Sequence, residues 1–294
     1  MTDHSKILVL GGTGFLGRYI ASAFGDKAIV HTTSAPESTT GQETSNFYFS
    51  NNQNDRVKKF LETQDCGTII NCVALADIER CESDPETAYW INSELPGIVS
   101  KYSRSRNIKF VQISTDAVFD GSTSYRTEHD KPSPLSVYGK SKLSGEQLVM
   151  ANNPGAIIAR VNFFGKSPKG NSLFDFFYNN LRSGVTVSGF TDVYFTPLYA
   201  GSLAEVVVEL LKREQTGIFH LTGDERISKF DFGVLIAEAF NFSASMIEPN
   251  TMAKRKMADI RSLDLSLAND KIRSLGINLP SVRDGLAILK STIS

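Results

Sequence analysis

The sequence predicts an α/β fold, a doubly wound parallel sheet with a smaller C-terminal lobe, on three observations. Short apolar runs alternate with helical patterns as far as Val161, the arrangement that yields parallel strands covered by helices on both faces. A glycine-rich turn, Gly11-Gly12-Thr13-Gly14-Phe15-Leu16-Gly17, stands between the first apolar run and the first helical stretch, the context in which such a turn carries meaning. After Val161 the alternation loosens into shorter elements, as expected of a smaller lobe closing over the carboxyl ends of the strands, where ligands bind in such sheets.

Lys6 to Leu10 is an apolar run that reads as a buried strand, and a helix follows from Arg18 to about Phe24. Ala28 to Thr33 reads as the second strand, Phe47 to Phe49 as a short third, Asp55 to Thr63 as a helix and Thr68 to Ala74 as the fourth strand. Pro85 to Arg104 reads as one long helix that Pro96 should bend or break. Ile108 to Ser114 is the fifth strand, Leu135 to Met150 a helix and Ala156 to Val161 the sixth strand. Beyond it, Leu173 to Arg182, Ser202 to Lys212 and Phe230 to Phe240 read as helices, Val185 to Phe195 as short strands around Gly189, and Gly217 to Leu221 as a sheet strand. The remainder, through Leu263, Leu265, Leu267 and Leu275 to Pro280, reads as a tail of short elements.

Composition excludes several classes of function. A formal net charge of −1 over 294 residues argues against a nucleic-acid polymer or an anionic membrane held by bulk electrostatics. No apolar run approaches the roughly 20 residues that span a bilayer, and the N-terminus shows no signal-peptide pattern. Cys66, Cys72 and Cys81 fit no zinc spacing. Reduced thiols in a cytoplasmic protein without a metal site are the expectation.

Gly11, Gly14 and Gly17 give the spacing Gly-x-x-Gly-x-x-Gly, a variant of the dinucleotide-binding (Rossmann) turn. One glycine makes the tight turn, one admits the pyrophosphate to the backbone, and one lets the helix pack closely. Thr13, Phe15, Leu16 and Arg18 complete the turn and the start of the helix whose N-terminus faces the phosphates. The competing reading is a glycine turn without a ligand. At the end of the second strand stand Thr32, Thr33 and Ser34, with no carboxylate before Glu37. An acidic residue there would bind the ribose 2′-hydroxyl of NAD and repel the 2′-phosphate of NADP. Small hydroxyls can bind that phosphate and Arg18 can offer it a cation, so NADPH is the expected cofactor and NADH the alternative. Arg18 reads equally as a solvated helix residue. Cys72, Val73 and Ala74 leave the end of the fourth strand open to a cofactor, although small residues there also serve helix packing. Residues 1–161 thus read as a dinucleotide-binding domain with return elements near 197–221, and 162–294 mainly as a substrate-binding lobe.

Tyr138 and Lys142 lie four residues apart, which on a helix places both on one face. A phenol with a free pKa of about 10 is a poor proton donor or acceptor at neutral pH. A neighbouring ammonium stabilises its phenolate and fits it for proton transfer to a carbonyl oxygen. On a solvated face the same pair has no chemistry. Ser114-Thr115-Asp116 ends the fifth strand, where a hydroxyl can hold a substrate oxygen or cap the next turn.

The glycine turn, the run Ser114-Thr115-Asp116-Ala117-Val118-Phe119-Asp120-Gly121 and the stretch from Tyr138 through Lys142 to Glu146 together resemble an extended short-chain dehydrogenase/reductase. More narrowly they resemble the dTDP-4-dehydrorhamnose reductase branch, as do Leu263-Asp264 and the C-terminal residues Lys271, Gly276, Pro280 and Gly285. The resemblance implies a catalytic trio of Thr115, Tyr138 and Lys142. Tyr138 would be the general acid, Lys142 would lower its pKa and bind the nicotinamide ribose, and Thr115 would orient the keto oxygen. Asp116, Phe119, Asn162, Phe163 and Arg261 become substrate candidates, with Phe164 beside them, although an aromatic pair also suits a core. Arg226, Arg255 and Arg261 are candidates for the diphosphate, although each taken singly reads more readily as a surface charge. The family's tryptophan near residues 160–165 and its Arg-Pro element near 260–262 are not present.

The implied activity is NADPH-dependent reduction of a nucleotide-linked 4-keto-6-deoxysugar, with a sugar-nucleotide epimerase as a sibling reading. Dehydration is disfavoured, because Ala117 follows Asp116 where a dehydratase keeps a glutamate. The alternative from another class is a non-enzymatic NADP-binding regulator resembling the regulatory subunit of methionine adenosyltransferase. The expected partners are a sugar-nucleotide substrate and, at most, a second copy of the chain in a homodimer.

Overall fold

The computed structural model describes residues 5–32, 43–46, 54–252 and 260–293. In chain order the first elements are β1 (Ile7–Leu10), α1 (Phe15–Phe24), β2 (Ala28–Thr32), β3 (Glu43–Asn46), α2 (Asn54–Glu62), β4 (Thr68–Asn71), α3 (Ile78–Ser83) and α4 (Pro85–Tyr89). There follow α5 (Leu95–Ser105), β5 (Lys109–Thr115), α6 (Val137–Asn152), β6 (Ile157–Val161), β7 (Phe163–Phe164), α7 (Leu173–Arg182), β8 (Val187–Phe190), β9 (Tyr194–Phe195) and β10 (Leu198–Tyr199). The last are α8 (Ala200–Lys212), β11 (Gly217–Leu221), β12 (Ile227–Ser228), α9 (Lys229–Phe240), β13 (Ile247–Asn250), α10 (Asp270–Ser274) and α11 (Val282–Ile293).

Seven strands form the main sheet in the order β11-β6-β5-β4-β1-β2-β3. The pairings from β3 through β2, β1 and β4 to β5 are parallel. The strand order reverses direction at β1, which places the glycine turn at the switch point of the sheet. Leu8, Leu10, Ile69, Phe110 and Ile158 from the strands pack with Val57, Leu61, Trp90, Leu95, Val99 and Val149 from the helices. Strands β1, β4 and β6 are buried at every residue, so both of their faces are dry, which is why their sequences run apolar instead of alternating.

The chain divides into two compact units. One comprises Met1–Val118, Ser136–Arg160 and Val207–Phe219, and the other Phe119–Leu135, Val161–Val206 and His220–Ser294. The second unit has an aromatic core in which Phe232 meets Phe164 at 5.3 Å and Phe195 at 5.4 Å between ring centroids.

Several elements depart from expectation for identifiable reasons. The third strand is Glu43–Asn46, and residues 47–49, where the sequence suggested it, lie outside the described residues. The long helix begun at Pro85 is interrupted by a π-helical turn at Trp90–Glu94, and Pro96 falls in the first turn of α5, where a missing N–H leaves no hydrogen bond unmade. A helix at Ile78–Ser83 was not anticipated; the Asp77 side chain caps it by accepting from the Arg80 N–H at 3.0 Å. The helix carrying Tyr138 begins at Val137, because Ser136 accepts from the Gly139 N–H at 3.1 Å and so caps it. The tail ends in α11, whose buried Val282, Gly285, Leu286 and Leu289 form one helical face.

Among the described residues no helix is long and apolar enough to cross a membrane. The three cysteines are free thiols, and no group of His, Cys, Asp and Glu among the described residues is placed to hold a metal ion.

Candidate active site

The glycine turn is shaped by backbone crowding. Gly11 has φ +73°, a conformation that favours glycine, and a Cβ there would lie 3.1 Å from the Val73 nitrogen. A Cβ on Gly17 would strike the Gly11 carbonyl oxygen and sit 2.8 Å from Gly12 Cα. Gly14 occupies the cap position of α1 and donates its N–H to Gly11 O at 2.9 Å. With glycine at the cap, the positive end of α1 meets the turn without an intervening side chain, a cradle that suits a pyrophosphate. Thr13 and Phe15 are half-buried, Leu16 is buried and Arg18 is exposed. Gly17→Ala is expected to weaken NADPH binding at least about tenfold and to lower stability by about 1–3 kcal/mol, the usual cost of overpacking. Nicotinamide fluorescence titration and urea unfolding check the two effects, and wild-type values for both would remove the close-packing argument.

Beneath this turn lies a residue that sequence reasoning did not single out. His31 is fully buried at the end of β2. Its carbonyl accepts the Gly12 N–H at 2.9 Å, and Nδ1 stands 3.5 Å from the Gly11 nitrogen. Its ring packs edge-on against Phe60. A histidine in an apolar strand gives no local sign of this support. Thr32 closes β2, and Thr33 and Ser34 lie outside the described residues.

At the end of β4 the chain turns through polar side chains. Asn71 donates to Gln112 Oε1 at 2.9 Å and accepts from the Val73 N–H at 3.1 Å. Cys72 and Val73 are half-buried and Ala74 is exposed. From the π-helical turn, Asn92 accepts the Leu75 N–H at 2.9 Å and donates to the Leu75 carbonyl and to Ser141 Oγ, each at 3.0 Å. Gly145 permits this packing, since a Cβ there would strike the Asn92 carbonyl oxygen.

Thr115 at the end of β5 and Tyr138 and Lys142 on successive turns of α6 all belong to the first unit. Thr115 Oγ1 donates to Asp116 Oδ1 at 2.9 Å and accepts the Ala117 N–H at 3.2 Å, and Thr115 lies near enough to the Tyr138 hydroxyl to act on its titration. Lys142 is 3% exposed and donates from Nζ to the Ile113 carbonyl at 2.6 Å. Gln112 Nε2 donates to the same carbonyl at 2.7 Å.

Electrostatics here correct one expectation. Tyr138 is pushed up to about 12, chiefly by burial and further by the Asp116 charge, with Thr115 opposing. Lys142 was expected to lower it, but its ammonium is directed to the Ile113 carbonyl, and desolvation of the phenolate dominates. Lys142 is itself drawn down to about 8 by burial, against the opposing charge of Glu146.

The remaining candidates belong to the second unit, apart from Asp116. Phe119 is buried, with the Arg126 guanidinium over its ring and the His220 ring at its edge. Asn162 donates to the Leu265 carbonyl at 3.3 Å. Phe163 is half-buried and Phe164 belongs to the aromatic core. Arg226 lies 3.6 Å above the Tyr194 ring and pairs with Asp264 through Nη2 at 2.7 Å and Nε at 2.8 Å, so its charge is already met. Arg261 is half-buried, and Arg255 lies outside the described residues.

Comparison with known proteins places this geometry in a family. The chain matches the family model described as RmlD substrate binding domain over residues 5–293. It is 37% identical over 247 residues to a probable low-salt glycan biosynthesis reductase of Haloferax volcanii, covering 82% of each chain. It is 29% identical over 293 residues to methionine adenosyltransferase 2 subunit beta of Mus musculus, covering 92% of this chain and 83% of the relative. The crystal structure of a dTDP-4-dehydrorhamnose reductase from Clostridium acetobutylicum superimposes with a TM-score of 0.82 at 27% identity, covering 98% of this chain and 99% of that one. With the fold, the switch-point glycine turn and a match running from residue 5 to residue 293 in agreement, the chain belongs to the RmlD substrate binding domain family, in the extended short-chain dehydrogenase/reductase fold.

Proposed function

We propose that this protein reduces the 4-keto group of a nucleotide-linked 6-deoxysugar with NADPH. The observation that carries the reading is the grouping of Thr115, Tyr138 and Lys142 in the same unit as the glycine turn. Gly11, Thr13, Gly14, Phe15, Leu16, Gly17 and Arg18 would hold the cofactor from the turn, with Thr32, Thr33 and Ser34 at its 2′-phosphate and Cys72, Val73 and Ala74 along its other side. When bound, NADPH supplies the hydride. Tyr138 gives its hydroxyl proton to the carbonyl oxygen, Thr115 donates to that oxygen once its hydroxyl turns away from Asp116, and the Asp116 carboxylate is left to accept from a sugar hydroxyl. Lys142 contributes a fixed positive charge at the base of the site and a donor for the ribose hydroxyls. Phe119, Asn162, Phe163 and Arg261 are the proposed sugar-nucleotide contacts of the second unit.

Incubating the protein with NADPH and a panel of nucleotide-linked 4-keto-6-deoxysugars tests the reading through loss of nicotinamide absorbance. Turnover is expected, with NADPH preferred over NADH at least about tenfold, because the second strand offers hydroxyls where NAD enzymes place a carboxylate. Equal use of the two would remove the argument from residues 32–34. The likeness to the methionine adenosyltransferase subunit favours a second reading, a regulator that binds NADP without turning it over. Tight NADPH binding with no turnover across the panel would support it.

A further inference from the structure

Behind the candidate active site lies a set of buried charges that no step above uses. Glu146 stands one helical turn beyond Lys142 on α6, and each is 3% exposed. The carboxylate is clamped from two sides. Arg160 on β6, 2% exposed, donates to it from Nη2 at 2.7 Å and from Nε at 3.0 and 3.2 Å. Ser114 Oγ donates to it at 2.5 Å. One turn earlier, Lys142 reaches the carbonyl of Ile113. Successive turns of α6 are thereby pinned to successive residues of β5, and the next residue along that strand is Thr115.

A buried arginine–glutamate pair is by itself a weak source of stability, because desolvation of both ions offsets their attraction. Its place beside a buried lysine gives it a different use. An ammonium facing a neutral carbonyl in a dry site tends to shed its proton unless a negative charge stands near. We infer that Glu146 is a positioning residue: clamped by Arg160 and Ser114, its carboxylate keeps the buried Lys142 ammonium charged and holds the strand end that presents Thr115 to Tyr138. The purpose of this device rests on the reductase reading above. The other titratable groups at the site are few. Cys72 beyond β4 also acts on Lys142, whereas Asp116 beyond β5 and Cys81 on α3 act on Tyr138. Glu82 on α3 accepts the Val137 N–H at the start of α6, and Arg160 from β6 faces Glu146.

The test follows the Lys142 ammonium directly, in ligand-free full-length protein labelled with ¹⁵N-lysine. Its signal is identified by its absence in Lys142→Arg. In Glu146→Gln the titration midpoint is expected to fall by about one pH unit or more, and in Glu146→Asp, which keeps the charge, to return towards wild type. The high-pH fall in NADPH turnover should move in the same direction, a change that loss of stability alone would not produce. If Glu146→Gln does not fold, Glu146→Gln/Arg160→Met removes the buried pair together, and its midpoint should lie below that of Arg160→Met, which keeps the carboxylate. An unchanged midpoint in whichever variant folds overturns the inference. Absence of wild-type turnover while the midpoint still moves overturns the reductase reading and leaves the action of Glu146 on Lys142 standing.

Discussion

Tyr138→Phe is expected to reduce turnover by roughly 10²- to 10⁴-fold, the contribution of a positioned general acid, while NADPH affinity changes by less than about twofold. The substitution removes one oxygen and keeps the ring that packs beside Leu75, Cys81 and Ala88. The hydroxyl acts on the substrate oxygen, so its loss should lower kcat and kcat/KM together. Steady-state kinetics and a binding titration on the same preparation separate the two effects. Turnover within a few-fold of wild type would exclude Tyr138 as the proton donor, and a large loss of NADPH affinity would make it a binding residue instead.

Replacing Lys142 with methionine is expected to raise stability at neutral pH and to lose that advantage as pH rises. Folding draws Lys142 down from 10.5 to about 8, with desolvation as the main cause. Between those values the unfolded chain holds the proton and the folded chain does not, so the stability contributed by this group increases with pH across that window. The drop corresponds to roughly 3 kcal/mol. Urea unfolding of both proteins at several pH values should therefore show Lys142→Met ahead at neutral pH and the gap closing towards pH 10.5. Tyr138, raised from 10 to about 12, has the opposite sign: its contribution is lost as pH climbs from about 10 to 12 and leaves the lower window undisturbed. The thiols of Cys66, Cys72 and Cys81, all raised by burial, lower stability above pH 9 in both proteins, so their effect largely cancels in the comparison. A gap that stays constant from neutral pH to pH 10.5 would mean that Lys142 keeps an ordinary affinity for its proton in the folded chain.

These two residues also show where local pattern stops informing. Four-residue spacing puts Tyr138 and Lys142 on one face of a helix in any protein. The direction of the Tyr138 shift depends on how much water the fold removes and on where Lys142 points. Its ammonium reaches Ile113, 29 residues away in the chain, and spacing along α6 cannot reveal that partner. The same holds for His31, which supports a glycine turn 20 residues earlier, and for Arg160, which meets Glu146 across the space between β6 and α6.

What the sequence determined by itself was the alternation of strands and helices, the parallel sheet and the glycine turn at its first crossover. Those depend on apolar periodicity and on backbone conformations that glycine alone tolerates well, both of which are local. Tertiary structure alone decided the final helix Val282–Ile293, the assignment of Phe119–Leu135 to the second unit and the ionic setting of Lys142. Each of these is a matter of which surfaces meet and which charges lose their water, and such energies belong to pairs of residues far apart in the chain.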